Sequence, residues 1–165
     1  MLVMQLFSCL IAGTHGSIEA YDYPVSKNVL QKAIEKIIVE SSDIHKDSTK
    51  NYIIDVTNGK NDTIIDNQYN NGIEYFTINI DNNEKGKGTN KYVVQYGNEG
   101  DEDTANTSFI SIAYGYDKNG NGGSDVNGGV AWYRPFLKKK LINLFEEKFI
   151  NRIDKELGKK HTQPK

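Results

Sequence analysis

Asp117, Asn119, Asn121 and Asp125 place oxygen-bearing side chains at positions 1, 3, 5 and 9 of a loop, with Gly122 at position 6. That is the first half of an EF-hand-type calcium loop, in which alternate side chains wrap a hard cation. Position 12 is Gly128 rather than a bidentate Glu. A weak calcium site would need a further carboxylate, and the acidic stretch Glu99, Asp101, Glu102, Asp103 could supply it. The competing reading is an Asn/Gly loop of successive turns.

A second group is Trp132, Tyr133 and Arg134 followed by Lys138, Lys139 and Lys140. Lysines in the first turns of a helix oppose the macrodipole, which favours acids there. They suit an anionic partner: an acidic envelope protein or anionic lipid. Trp132 and Tyr133 suit an interface, each with an apolar body and a polar tip. The bland reading is a solvated charge run with Trp132 packed beneath the loop.

Cysteine chemistry rests on one residue, since Cys9 is the only cysteine. A single thiol excludes an internal disulfide framework and a CxxC metal or redox site. Leu6-Phe7-Ser8-Cys9 reads as a lipobox, with Leu at −3 and a small residue at −1 before the cysteine to be lipidated. The run Leu2–Gly13 fits an h-region and is too short to span a bilayer. No Lys or Arg precedes Cys9, so a basic n-region is expected upstream of Met1. Two alternatives stand beside lipidation. One is cleavage after Ala20; the other is an apolar segment of a cytosolic domain. His15, His45 and His161 sit in no motif with a nucleophile or second ligand, and no GxSxG, HExxH or P-loop spacing occurs. Paired carboxylates can assemble from distant residues, but the residues favour binding over catalysis.

These groups must be positioned by one domain. The chain has 165 residues, 37% hydrophobic, enough for one real core. Net charge is −2 and the pI about 5.9, which gives no reason to expect a nucleic-acid partner. We read residues 1–20 as signal, lipobox and tether, the tether itself running over 13–24 and kept extended before Pro24, then a domain over 21–158 and a disordered tail over 159–165. Ser26 is expected to cap a helix whose apolar face is Val29, Leu30, Ala33, Ile34, Ile37 and Ile38. Tyr52–Val56 and Thr63–Asp66 flank Asn58-Gly59, a hairpin signal. Strands follow at Ile73–Ile80, Lys91–Tyr96 and Ser108–Tyr116. In the first, Phe76, Ile78 and Ile80 share a face. In the last, simple alternation puts Ile110, Ile112, Tyr114 and Tyr116 together. Pro135 opens a long helix with a stripe of Leu137, Leu141, Leu144, Phe145, Phe149, Ile153 and Leu157, and Gly158 suits its C-cap.

The expected fold is α+β, a two-layer sandwich: N-terminal helix, antiparallel meander of about four to five strands, long C-terminal helix. Both helices cover one sheet face. The other is expected to be wet and Tyr-rich, offering Tyr75 and Tyr92 or Tyr96.

The lipobox, Gly13-Thr14-His15-Gly16-Ser17, Tyr23-Pro24-Val25-Ser26 with its helix, and the Asp117–Asp125 loop with the Lys-rich helix resemble small uncharacterised lipoproteins of Bacteroidetes-type bacteria. The resemblance implies a lipid anchor at Cys9, an address on the outer membrane or periplasmic face, and a compact domain. It implies no activity. An exported, non-enzymatic binding or accessory module is the leading expectation. A calcium-dependent or small-ligand domain and an immunity or inhibitor protein are the alternatives.

Overall fold

The computed structural model describes residues 17–47, 53–55, 62–64, 73–82, 88–98, 106–124 and 134–164. The elements are β1 (Glu19–Tyr23), α1 (Lys27–Glu40), β2 (Ile44–Lys46), β3 (Ile53–Asp55), β4 (Asp62–Ile64), β5 (Glu74–Asn82), β6 (Gly88–Asn98), β7 (Ser108–Tyr116) and β8 (Gly122–Gly123). A continuous C-terminal helix then runs through α2 (Pro135–Phe145), a π-helical turn (Glu146–Ile150) and α3 (Asn151–Leu157).

The main sheet has the order β1-β7-β6-β5-β2, with β8 also on β7; β3 and β4 form a separate hairpin. Every pairing is antiparallel. The fold is the expected two-layer α+β sandwich. The β5-β6-β7 meander forms its centre, and β1 and β2 extend its edges.

One core joins helices to sheet. Leu30, Ile34 and Ile37 from α1 and Leu141, Phe145, Phe149, Ile150 and Ile153 from the C-terminal helix meet Phe76, Ile78, Tyr92, Val94, Ile110 and Ile112. Val29 stands largely exposed and outside this core. Ser26 precedes α1 but makes no side-chain cap bond; its carbonyl accepts from Leu30. The Lys27 amide instead donates to Asn98 Oδ1 at 3.1 Å. A side chain from β6 thus satisfies one of the helix's orphan donors.

The expected tether is, from Glu19 to Tyr23, an edge strand. Its register sets Glu19 against Ile112 and Tyr23 against Ser108. Ile18, Tyr21 and Tyr23 are buried. Alternation turns Tyr21 and Tyr23 toward the helices, where they fill space beneath the C-terminal helix. The expected disordered tail is also tied down. Asp22 and Thr162 exchange backbone hydrogen bonds at 2.8 and 2.9 Å. Gly158, at φ 60°, reverses the chain. Its N–H bonds Lys155 O and that of Lys159 bonds Asp154 O, a Schellman ending.

A register shift at Val93/Val94 opposes Val93 to Tyr114 and Val94 to Ile112, so Ala113 is the extra residue on β7. The bulge reverses the alternation beyond it. Ile110 and Ile112 face the helices, but Gly115 does so next, not Tyr114 or Tyr116. A Cβ at Gly115 would lie 3.3 Å from Ile18 Cδ1 and 3.4 Å from Leu141 Cδ1. The expected single face of Ile110, Ile112, Tyr114 and Tyr116 is therefore split.

Nor is the second sheet face simply wet. Tyr92 and Tyr96 lie in the helix-side core, and Tyr75 alone of the three is on the far face, half-buried. Thr77, Val93, Gln95, Ser111 and Ala113 on that face are buried.

Candidate functional site

Asp117 begins the turn between β7 and β8. Gly120 N–H bonds Asp117 O at 2.9 Å, and Gly120 takes φ 77°. The Asp117 N–H bonds Asn121 O at 2.9 Å. Asp117 Oδ1 accepts from the backbone N–H groups of Asn119 and Asn121, each at 2.9 Å. Asn121 Nδ2 donates to Oδ2 at 3.2 Å. The carboxylate is thus the cap of a hairpin turn, a role to which Asp is suited because its oxygens reach N–H groups two residues on. Burial opposes ionisation, yet the donors of Asn121 and Asn119, aided by Lys140, hold Asp117 below the usual carboxylate range.

The loop reading and the turn reading therefore meet at Asp117 and Asn121, whose side chains bond each other. Asp125 lies outside the described residues, as does the acidic stretch 99–103. Among the described residues no three His, Cys, Asp or Glu side chains converge as a metal site would require.

Lys140 brings the two sequence motifs together, since its charge acts on Asp117. It stands in the first turns of α2, which Pro135 opens and which carry no acidic residue. Lys139 and Lys140 are exposed and Lys138 half-buried. Trp132 and Tyr133 lie outside the described residues. Among the described residues beside these lysines the exposed aromatic is Phe136, 88% exposed. It falls beside the apolar stripe of the helix rather than in it, so apolar periodicity does not single it out. The i, i+3, i+4, i+7 spacing of Phe136, Lys139, Lys140 and Asn143 was the available signal.

These four side chains, with Leu144 and Asn82 at the end of β5, line an open groove of about 530 Å³. Glu147 and Lys148 line it as well. The surface is an exposed ring among cations, so it can receive an anionic group beside an apolar one. No family model, curated protein or solved structure matches this chain. Its chemistry must be read from these side chains.

Other polar clusters lie between elements. Arg152 reaches Asp43 through two hydrogen bonds of 2.8 and 2.9 Å and also Ser41 at 2.7 Å. Lys148 approaches the same carboxylate at 3.4 Å. Asp43 is held below the usual carboxylate range, first by the Arg152 hydrogen bond. At the start of α1, Glu74 takes Tyr96 OH at 2.5 Å and Lys27 Nζ at 3.0 Å. Asp154 receives Tyr23 OH at 2.9 Å, and its Oδ2 lies 3.0 Å from His161 Nδ1. His161, expected in a frayed tail, is in fact packed edge-on against Tyr21. Tyr21 OH in turn reaches Glu146 at 3.2 Å. Cys9 lies outside the described residues.

Proposed function

We propose that this protein is a lipid-anchored bacterial envelope lipoprotein, and that its domain is a non-enzymatic binding module. The observation that supports this reading is how close to the lipobox the described fold is already engaged. Ile18 is buried, and its N–H bonds Ile112 O at 2.8 Å. Eight residues of sequence, Leu10 to Ser17, therefore lie between the lipobox cysteine and the first buried residue described. An acyl-bearing Cys9 would need such a spacer, and more than one lipid chain gives stable anchoring without a spanning helix.

A binding role is supported by how the polar groups are used. The Asp43–Arg152, Glu74–Lys27 and Asp154–Tyr23 contacts join one element to another, whereas Phe136 and Lys139 are turned outward. Leaving a Phe ring in water forgoes roughly 1.5–3 kcal/mol of burial. Such a ring among lysines is better suited to a partner surface than to the protein's own stability.

The test is detergent phase partitioning with intact mass on the full chain, beside Cys9→Ser. We expect the wild type in the detergent phase with a mass beginning at an acylated Cys9, and the variant in the aqueous phase. An unprocessed aqueous wild type would overturn the reading.

A further inference from the structure

The direction of the C-terminal helix relative to β1 determines which end of the domain an anchor would hold against a membrane. Leu141 lies by Ile18, each near the space above Gly115. Glu146 meets Tyr21, and Asp154 meets Tyr23. Successive residues of β1 therefore meet successive residues of the helix, so the two run in the same direction. From Leu141 to Asp154 the helix advances ~20 Å. From Ile18 to Tyr23 the strand advances ~17 Å. The advances agree, as parallel elements require.

Two consequences follow from this alignment. The chain enters the fold at the Ile18 end. The first turns of α2 project beyond that same end, Phe136 lying ~7.5 Å further along the axis than Leu141. The β7–β8 turn belongs to this end too, with Lys118 packed over Gly88. The opposite end carries Tyr23, Asp154 and the exposed Lys160.

We propose that the end bearing Phe136, Lys139 and Lys140 seats on the anionic surface of the bilayer that holds the anchor, with Phe136 entering the headgroup boundary. The proposal rests on the lipoprotein reading above. The occupant follows from the entry point and from charge. The eight residues between Cys9 and Ile18 can reach no more than about 29 Å whatever their conformation, so a lipid on Cys9 keeps this end near the bilayer. Exposed lysines match phosphate headgroups, and an aromatic ring matches the apolar boundary beneath them. The arrangement would add a second, weak membrane signal to the anchor and turn the Tyr23–Lys160 end outward.

The experiment uses the full-length acylated protein, its state read by intact mass, in vesicles of phosphatidylglycerol and phosphatidylcholine or of phosphatidylcholine alone. A dye is attached through Asn143→Cys, on the groove's lining, or through Lys160→Cys at the far end; the acylated Cys9 thiol is not available to it. Quenching by lipid-borne quencher is expected at position 143 in the anionic vesicles, well above that at 160. Lys139→Gln with Lys140→Gln should shift the seated-to-free ratio by roughly tenfold or more. Phe136→Ser should weaken it as well. These three side chains are exposed, and a thermal melt of each variant beside the wild type checks that the fold is kept, Lys140 being the one that acts on Asp117. Equal quenching at 143 and 160 in an acylated protein overturns the seated orientation and leaves the anchor standing. A mass without acyl groups overturns the lipoprotein reading and this proposal with it.

Discussion

At Gly122 the backbone takes φ 149°, and a Cβ there would fall 1.9 Å from Gly115 O. No flexible side chain can yield, because the obstacle is the backbone of β7. Gly122→Ala should therefore cost ~1–3 kcal/mol in strain, read as a fall of several degrees in melting temperature. Asp117 makes a more discriminating test. If its carboxylate caps the turn, Asp117→Ala loses ~1 kcal/mol, and the loss is the same in EDTA as in calcium. A loss confined to calcium-containing buffer would assign the carboxylate to a cation instead. Ser111 predicts the opposite sign. It is fully buried and its hydroxyl has no hydrogen-bond partner among the described residues. Removing an unsatisfied polar atom relieves its desolvation penalty, so Ser111→Ala should leave stability equal or raise it by about 1 kcal/mol in denaturant unfolding.

The C-terminal helix shows how elements meet constraints that single residues do not reveal. Leu141, Phe145, Phe149 and Ile153 recur every four residues. On a 3.6-residue helix each such step overshoots a full turn by roughly 40°. The stripe would wind away from the sheet, yet all four side chains are fully buried. The wider π-helical turn over Glu146–Ile150 absorbs the drift. The sequence displayed the four-residue spacing, but not the turn that reconciles it with one flat sheet. The β7 bulge escaped for the same reason. Alternation is a local property, whereas an extra residue at Ala113 is defined only by its partner strand. The β5 face of Phe76, Ile78 and Ile80 was legible because its pairing with β6 is regular throughout. Of the candidate site, the lysines were legible as a charge run, while Phe136 became visible only once the helix face was fixed. At this scale Asp43 also gives a pH prediction. Arg152 and Lys148 favour its ionised form and hold its pKa below that of the unfolded chain. The resulting stability is complete above the ordinary carboxylate value of about 4 and is lost as pH falls through the lower folded value. Melting temperature should drop on that acid limb, and Asp43→Asn should flatten the limb while lowering stability at neutral pH.

For the whole molecule, the burial of Ile18 and Ala20 bears on two of the readings proposed for the first twenty residues, lipidation at Cys9 and cleavage after Ala20. Lipidation at Cys9 keeps Ile18, Glu19 and Ala20. Cleavage after Ala20 removes them and leaves β1 to begin at Tyr21. Ile18 is 3% exposed and Ala20 8%, and Glu19 and Ala20 supply two positions of the β1–β7 register. Deleting a buried Ile side chain alone costs ~2–5 kcal/mol. The cut would also expose Gly115 and the edge of β7 beside Leu141. At roughly 2–4 °C per kcal/mol for a chain of this size, a protein beginning at Tyr21 should melt about 10 °C below one beginning at Ser17. Thermal unfolding of the two purified chains would decide the matter. Equal melting temperatures would mean that β1 contributes nothing before Tyr21 and would leave cleavage after Ala20 compatible with the fold. The expected difference makes residues 18–20 part of the working domain, and places any maturation site ahead of Ser17.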